Sequence, residues 1–293
     1  MSEGAALSDH FLNISSVYKL GTRWISSIPR PVAYALSQCI ALVSYLSYKT
    51  AVFTIKSNLA IALPAASKEE IARLSMRLFR NYSKYLVDYG RFASLGKESI
   101  IGKILHYDGR ENLAAAMAMK KGIILLTAHL GNWELGGIFF GSSGLKTNVV
   151  TIQDSNSEIN EARRSYREQH NVNTITIGDS PFSTLEMLKA LNNAEVVAML
   201  IDRWREDLEY LETDFFGRQV RFPRGPFTLS RLTGAPIIVA FVVREGDGYK
   251  GIIEQPLIVD AEGRESDTLR TVVKILERYI IMYPDQWYNF TPL

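Results

Sequence analysis

The sequence predicts an α/β fold, with a mainly parallel central sheet flanked by helices and an N-terminal helical layer. After about residue 100, short apolar runs alternate with stretches of helical periodicity, which is typical of a parallel sheet covered on both faces. The 293 residues, 47% hydrophobic and 22% charged, suit a globular chain with a sizeable core. We expect a helical, membrane-associated layer over residues 1–98 and an α/β domain over residues 99–293, joined as one continuous unit.

The N-terminal part of the chain is basic and free of acids. Between His10 and Lys68 there is no Asp or Glu, whereas several basic residues occur: Lys19, Arg23, Arg30, Lys49, Lys56 and Lys68. A basic segment that is rich in Leu, Ile and Tyr suits the surface of an anionic membrane. The same pattern also fits a helical layer that packs on the domain and finds its acidic partners elsewhere. The formal net charge of +2 favours neither interpretation.

One uncharged stretch, from Pro31 to Tyr48, reaches the lower limit for a membrane-spanning helix, roughly 17 residues. Four polar side chains within it disfavour insertion: Ser37, Gln38, Ser44 and Ser47. We therefore expect an interfacial or packed helix. The N-terminus carries no signal-peptide pattern, so we expect a peripheral or monotopic protein at the cytoplasmic face of the cell inner membrane.

The remaining elements follow from periodicity. Ser67-Lys68-Glu69-Glu70 is a capping box, and apolar residues recur at helical spacing up to Tyr89. Its tyrosines are expected to pack in the core. Asp179-Ser180-Pro181 is expected to start another helix. Strands are predicted at 122–128, 147–152, 173–177, 195–201, 236–243 and 251–258. Helices are predicted near 109–120, 133–140, 157–169, 181–193, 226–233 and 266–282.

The end of the strand at 122–128 carries the residues that suit acid–base chemistry. His129 follows this strand, and Glu134 lies five residues on, in the next predicted helix. A carboxylate that accepts a hydrogen bond from one ring nitrogen leaves the other nitrogen free to take a proton from a hydroxyl. We expect Glu134 to be that carboxylate, and the backbone N–H groups near Gly131 and Asn132 to be candidate oxyanion donors. Asp202 also ends a predicted strand, so it is expected to share one cleft with His129.

The sequence lacks the residue patterns of disulfides, metal sites, nucleotide-binding loops and nucleophile elbows. Cys39 is the only cysteine, which excludes intrachain disulfides and zinc–cysteine sites. The four histidines have no metal-ligand spacing, and the glycine clusters match neither a dinucleotide fingerprint nor a P-loop. Gly178-Asp179-Ser180-Pro181-Phe182 lacks the final glycine of a nucleophile elbow. The sequence therefore predicts no metal, no cofactor and no nucleic-acid partner.

The His-x4-Glu segment from Thr127 to Glu134 resembles the first motif of the glycerolipid acyltransferase superfamily. Its longer string is similar to the late acyltransferases of lipid A biosynthesis and to their relatives that acylate phosphatidylinositol mannosides. Further motifs of that family follow in order: Ala198-Met199-Leu200-Ile201-Asp202-Arg203, Asp214-Phe215-Phe216-Gly217, Phe222-Pro223-Arg224-Gly225-Pro226, Thr233-Gly234-Ala235-Pro236 and Tyr283-Pro284-Asp285-Gln286-Trp287-Tyr288.

This resemblance implies an O-acyltransferase that moves a fatty acyl chain from acyl carrier protein or coenzyme A to a hydroxyl of a membrane glycolipid, such as a lipid A precursor. His129 and Glu134 would be catalytic. The resemblance, together with the affinity of arginine for phosphate, implies these substrate-binding residues: Asn132, Arg164, Arg167, Asp202, Arg203, Arg221, Pro223, Arg224 and Gly225. Two alternatives stay open, an ion pair of Arg203 with Asp202 and a solvated Arg224.

Rival functions use the same residues. A hydrolase would let His129 and Glu134 activate water and cleave thioesters without an acceptor. A lipid-binding or scaffold protein would keep the fold without the chemistry, but the intact His129 and Glu134 argue against it. The acceptor could also be a mannosylated or amino-acid lipid. The sequence does not distinguish these acceptors, nor the two donor carriers.

Overall fold

The structure is a computed structural model, and all structural statements concern the residues that it describes. Lys19, Arg23 and the predicted helix start at Asp179-Ser180-Pro181 lie outside them, as does much of the helix predicted near 157–169. The described residues are 28–92, 95–142, 144–152, 161, 164–165, 167–178, 182–259 and 264–293.

Three helices form an N-terminal layer. Helix α1 spans Arg30–Ser47, α2 spans Lys49–Ala62 and α3 spans Lys68–Phe92. The predicted capping box is confirmed at the start of α3, where the Glu70 N–H donates to Ser67 Oγ at 3.1 Å. No helix in the described parts of the chain is long and apolar enough to cross a membrane. The buried face of α1 consists of small residues: Ala33, Ser37, Ala41 and Ser44.

The centre of the molecule is a seven-stranded, mainly parallel sheet, which confirms the predicted fold class. Its order is β1-β9-β8-β2-β5-β3-β4, and β9 pairs antiparallel with β8. β2 therefore lies between β8 and β5, deep in the core. The strands are β1 Ile104–Asp108, β2 Ile123–Thr127, β3 Thr147–Ile152, β4 Val172–Ile177, β5 Val196–Leu200, β8 Ile237–Glu245 and β9 Gly248–Ile253.

Helices cover both faces of the sheet. One face packs on α5 and α6 through residues such as Leu125 and Phe140. The other packs on α7 to α9 through residues such as Leu126 and Val239. The helices are α4 Lys97–Ile101, α5 Arg110–Ala118, α6 Trp133–Ser142, α7 Ser183–Asn192, α8 Gly225–Thr233 and α9 Glu265–Met282, followed by a 3-10 turn at Pro284–Gln286.

Three strands were not predicted. β1 is short and largely exposed, so it lacks the continuous apolar pattern of a buried strand. The other two, β6 Tyr210–Phe215 and β7 Arg218–Pro223, form an antiparallel hairpin. Phe216 and Gly217 both have positive φ in its two-residue turn, which is the conformation that matches the twist of the paired strands. β9 begins earlier than predicted because another two-residue turn, Gly246-Asp247, joins it directly to β8.

A buried ionic cluster joins the N-terminal layer to the sheet. The Asp88 carboxylate of α3 accepts hydrogen bonds from Arg244 of β8 (2.7 Å) and Tyr249 of β9 (2.5 Å). Arg30 and Tyr34 of α1 bind the same carboxylate. Arg30 is thus bound to Asp88 within the protein, which fits the alternative of a helical layer whose acidic partner lies elsewhere. The division of the chain at residue 98 stays a prediction.

Candidate active site

His129 and Asp202 meet because their strands are neighbours in the sheet. β2 pairs with β5 in a register that aligns Thr127 with Leu200, so residues two positions beyond each strand end lie side by side. The His129 Nδ1 lies 2.8 Å from Asp202 Oδ1, and the His129 backbone N–H donates to Asp202 Oδ2 at 3.0 Å. The shared cleft predicted for these two residues is confirmed. Asp202 accepts from the ring, so the Nδ1–H tautomer leaves Nε2 for a substrate.

Burial and charge set the protonation of this pair. Desolvation lowers the pKa of His129 below its usual 6.5 and the Arg203 charge lowers it further, although Asp202 opposes both. The imidazole is therefore neutral at pH 7 and can accept a proton. Burial alone would raise the pKa of Asp202, but His129, Arg203 and the backbone N–H outweigh that effect and lower it. The carboxylate stays ionised.

Aromatic residues from the chain's C-terminal segment and from α6 surround the pair. Trp287 Nε1–H donates to Asp202 Oδ2 at 3.2 Å, and the Tyr288 N–H donates to the His129 carbonyl at 2.7 Å. The Trp133 ring packs edge-on against the His129 ring, with centroids 5.1 Å apart. These contacts hold the Asp202 carboxylate and the His129 backbone, and the Trp133 ring packs against the imidazole. The motif from Tyr283 to Tyr288 is part of the family resemblance, but its position in the sequence does not predict that it contacts His129.

Glu134 has another partner, and the expectation that it orients His129 is wrong in this geometry. Its carboxylate binds Arg167, with Nε–Oε2 at 3.1 Å and Nη2–Oε1 at 2.5 Å. Both side chains are about nine-tenths buried. Glu134 raises the pKa of Arg167 against the lowering effect of burial, so the pair is ionic. The pair fixes the start of α6 to the segment before β4.

The backbone N–H groups at Gly131 and Asn132 are already occupied. Gly131 donates to the Gln286 carbonyl at 3.0 Å and Asn132 to the Val242 carbonyl at 2.6 Å. They are therefore not the oxyanion donors that the sequence suggested. The Asn132 side chain caps α6 by accepting the Leu135 N–H at 3.0 Å. Gly131 has φ of +67°, and a Cβ there would lie 2.1 Å from the Val242 oxygen, so only glycine fits.

Arg203 is the one arginine of the predicted set beside the His129–Asp202 pair, as its effect on the pKa of His129 shows. It donates to the Tyr288 carbonyl at 3.1 Å and to Asn289 Oδ1 at 3.2 Å, rather than forming an ion pair with Asp202. Arg203 therefore holds the C-terminal segment against the site.

The other predicted substrate-binding residues have partners elsewhere. Arg224 binds Glu265 of α9 at 2.6 Å, so it is paired rather than solvated. Pro223 ends β7 and Gly225 starts α8 on either side of it. Arg221 pairs with Glu212 across the β6–β7 hairpin, and the exposed Arg164 pairs with Glu168. These positions and contacts do not place the five residues at His129.

An apolar cavity lies between α6 and the sheet. It is lined by residues from all seven strands, by Trp133 next to His129, and by the Glu134–Arg167 pair. Small residues keep this space open: Gly136, Gly137, Ala198, Ala240 and Gly251. Within the described residues, no group of three His, Cys, Asp or Glu side chains could hold a metal ion.

Comparison with known proteins identifies the family. The sequence model of the bacterial lipid A biosynthesis acyltransferases matches residues 8–293. The chain is 26% identical over 277 residues to the lipid A biosynthesis palmitoleoyltransferase of Escherichia coli K12, covering 92% of this chain and 87% of that one. It is 25% identical to the lauroyltransferase of that bacterium over the same shares.

A third relative is a phosphatidylinositol mannoside acyltransferase of Mycobacterium tuberculosis CDC 1551 / Oshkosh. It is 24% identical over 245 residues, covering 81% of this chain and 75% of the relative. The family match spans nearly the whole chain and includes the strand-end histidine, the residues that hold it and the apolar cavity beside it. The chain belongs to the bacterial lipid A biosynthesis acyltransferase family.

Proposed function

We propose that this acyltransferase moves a fatty acyl chain from a carrier thioester to a hydroxyl of a membrane glycolipid, with His129 as general base and Asp202 as its partner. The observation that carries the proposal is an imidazole hydrogen-bonded to a carboxylate beside an apolar cavity. The first half suits proton removal from a hydroxyl, and the second suits a fatty acyl chain.

The proposed reaction follows from the orientation of the ring. His129 Nε2 takes the proton of the acceptor hydroxyl as its oxygen attacks the thioester carbonyl carbon. Asp202 stabilises the imidazolium that forms, as the carboxylate does in a Ser-His-Asp site. When the tetrahedral intermediate collapses, the C–S bond breaks and the proton passes from His129 to the departing sulfur. An ester and a free thiol are the products, and no protein nucleophile is needed.

The cavity is proposed to bind the acyl chain. Protein interiors are packed nearly as densely as organic crystals, and voids larger than a water molecule are few. An empty apolar space inside a domain is destabilising unless a ligand fills it. The walls of this cavity are mainly aliphatic and aromatic and include Trp133, whose ring contacts His129. An acyl chain in this cavity would bring its thioester carbon to the imidazole.

The acceptor is proposed to be a lipid A precursor or a related glycolipid, and the donor carrier to be acyl carrier protein or coenzyme A. The relatives support these classes, since their names specify lipid A and phosphatidylinositol mannosides. Arg203 is proposed to attract an anionic group of the acceptor, because it is the predicted substrate-binding arginine whose charge lowers the pKa of His129.

The direct test incubates purified protein with acyl carrier protein thioesters or acyl-coenzyme A, and with a lipid A precursor or a mannosylated lipid. We expect mass spectrometry to detect an acylated lipid that forms only in the presence of an acceptor. Arg203→Lys should raise the KM for that acceptor while leaving thioester hydrolysis by water unchanged. Release of free fatty acid alone, with every acceptor, would instead indicate a thioesterase.

The exposed face of α1 supports a location at a membrane surface, which we propose to be that of the inner membrane. Five apolar residues on this face have side chains about half exposed: Val32, Leu36, Ile40, Val43 and Leu46. Phe53 of α2 is 74% exposed. An apolar stripe of this size marks an interaction surface, and the chain around it has no acidic residue from 28 to 68. We propose that this face rests in the headgroup region of an anionic membrane.

Val43→Glu is expected to weaken binding to anionic phospholipid vesicles about 10- to 100-fold, since burying a valine side chain is worth about 1.5–3 kcal/mol. Co-sedimentation with vesicles measures the effect. Ala114→Glu on the exposed surface of α5 adds the same charge elsewhere and serves as the control. Equal binding by Val43→Glu and the control would show that α1 does not enter the membrane.

A further inference from the structure

Two consecutive glycines, Gly136 and Gly137, lie within α6 and line the cavity. A glycine inside a helix is less favourable than alanine because its backbone loses more freedom on folding. Glycine is often kept in a helix where another backbone comes too close for a side chain. Gly141, at the far end of α6, is such a position, since an added Cβ would lie 2.8 Å from the His170 carbonyl oxygen.

No backbone blocks a side chain at Gly136 or Gly137. The nearest atom to an added Cβ is a methyl of Val242 at 3.4 Å for Gly136 and a methyl of Val149 at 3.6 Å for Gly137. The second distance is ordinary van der Waals contact. Close packing therefore does not require these two glycines. The space that their missing side chains leave belongs to the cavity.

The residues of α6 that line the cavity follow one another in a defined order along the helix. The helix begins at Trp133, beside His129, and Gly136 and Gly137 follow about one turn later. Phe139 lies beyond them and packs edge-on against Tyr107 of β1, with centroids 5.0 Å apart. Both of these rings also line the cavity. Along α6, the two glycines therefore lie between Trp133 and this aromatic wall.

We propose that Gly137, assisted by Gly136, admits long acyl chains, and that the Phe139–Tyr107 pair limits their length. The inference rests on the proposed function, in which the donor's acyl chain occupies the cavity. A side chain at position 137 would project into the path of the chain. Long chains would then be excluded, while chains that end before this position would still fit.

The test measures kcat/KM for a series of saturated acyl donors of increasing length. Gly137→Leu is expected to lower kcat/KM for the longest accepted chain about 10- to 200-fold and to leave shorter chains unaffected. Phe139→Leu should extend the accepted range to longer chains. Ala115→Leu, on the exposed face of α5, places a leucine side chain outside the cavity and should keep the wild-type profile.

Gly137→Ala guards against misfolding of the leucine variant, because alanine fits at ordinary contact distance and favours a helix. It should raise the Tm and shift the preference towards shorter chains. An unchanged length profile in both Gly137 variants, with normal transfer, overturns this inference and leaves the proposed function intact.

Binding can be measured without turnover, which separates the two proposals. Free fatty acids of the same lengths should raise the Tm of the wild-type protein, since a ligand that binds only the folded state stabilises it. Loss of the long-chain shift in Gly137→Leu supports the inference even if the wild-type protein transfers no acyl chain. An identical long-chain shift in Gly137→Leu overturns it.

Discussion

His129→Ala is expected to lower the rate of acyl transfer about 10²- to 10⁴-fold, the usual contribution of a general base. The imidazole is neutral at pH 7, because burial lowers its pKa, and alanine has no group that can take the hydroxyl proton. The loss should appear in kcat, while donor binding in the cavity is preserved. Steady-state kinetics with one acyl donor and one lipid acceptor measure both quantities.

His106→Ala is the matched control, because His106 is a half-exposed histidine at the sheet edge that pairs with Glu245. It should keep wild-type turnover. His129→Ala should keep its fold, because the hydrogen bonds from its backbone N–H to Asp202 and from the Tyr288 N–H to its carbonyl remain. A thermal melt checks this. Wild-type transfer by a folded His129→Ala protein would remove the histidine from the mechanism.

Asp202→Asn is expected to cost up to about 10⁴-fold in kcat, as replacement of the equivalent carboxylate does in serine proteases. The amide cannot stabilise the imidazolium and can favour the wrong tautomer. Asp202 raises the pKa of His129, so its removal should shift the acid limb of the pH–rate profile to lower pH. Activity of the wild-type protein should fall only below pH 6.5, where the imidazole becomes protonated.

Glu134→Gln should act differently, because it leaves Arg167 buried without its charged partner. Breaking one side of a buried ion pair destabilises a protein by about 3–5 kcal/mol. We expect a lower Tm and an acid limb at the wild-type position. The double variant Glu134→Gln/Arg167→Gln removes both charges and should recover stability and activity. A stable but inactive double variant would return Glu134 to the catalytic role that the sequence suggested.

The sequence predicted Glu134 as the carboxylate partner of His129, whereas the structure places Asp202 there. A five-residue spacing favours the nearby carboxylate, whereas the actual partner of His129 depends on strand order, which places β5 beside β2. Periodicity along one chain contains no information on that order. The rule that ligands gather at the carboxyl ends of parallel strands did bring Asp202 into the same cleft.

Buried strands were predicted from the sequence, whereas exposed strands were not. Continuous apolar runs such as Ile123–Leu126 identified six strands of the sheet correctly. β1 and the β6–β7 hairpin carry polar residues on exposed faces, and their patterns resemble those of loops. The family resemblance and the affinity of arginine for phosphate predicted that the arginines of the hairpin region bind substrate. Arg221 instead pairs with Glu212 across the hairpin, and Arg224 pairs with Glu265 of α9, which is distant in sequence.

The C-terminal segment from Gln286 to Asn289 gives the order of synthesis a functional meaning. Asp202 lies 73 residues after His129, and Trp287 follows Asp202 by a further 85. A ribosome therefore releases the histidine long before the groups that orient it. Contacts this distant along a chain form late in folding. A chain that has not yet reached residue 286 lacks both the Trp287 donor to Asp202 and the Tyr288 donor to the His129 carbonyl, so the site is complete only once this segment has folded.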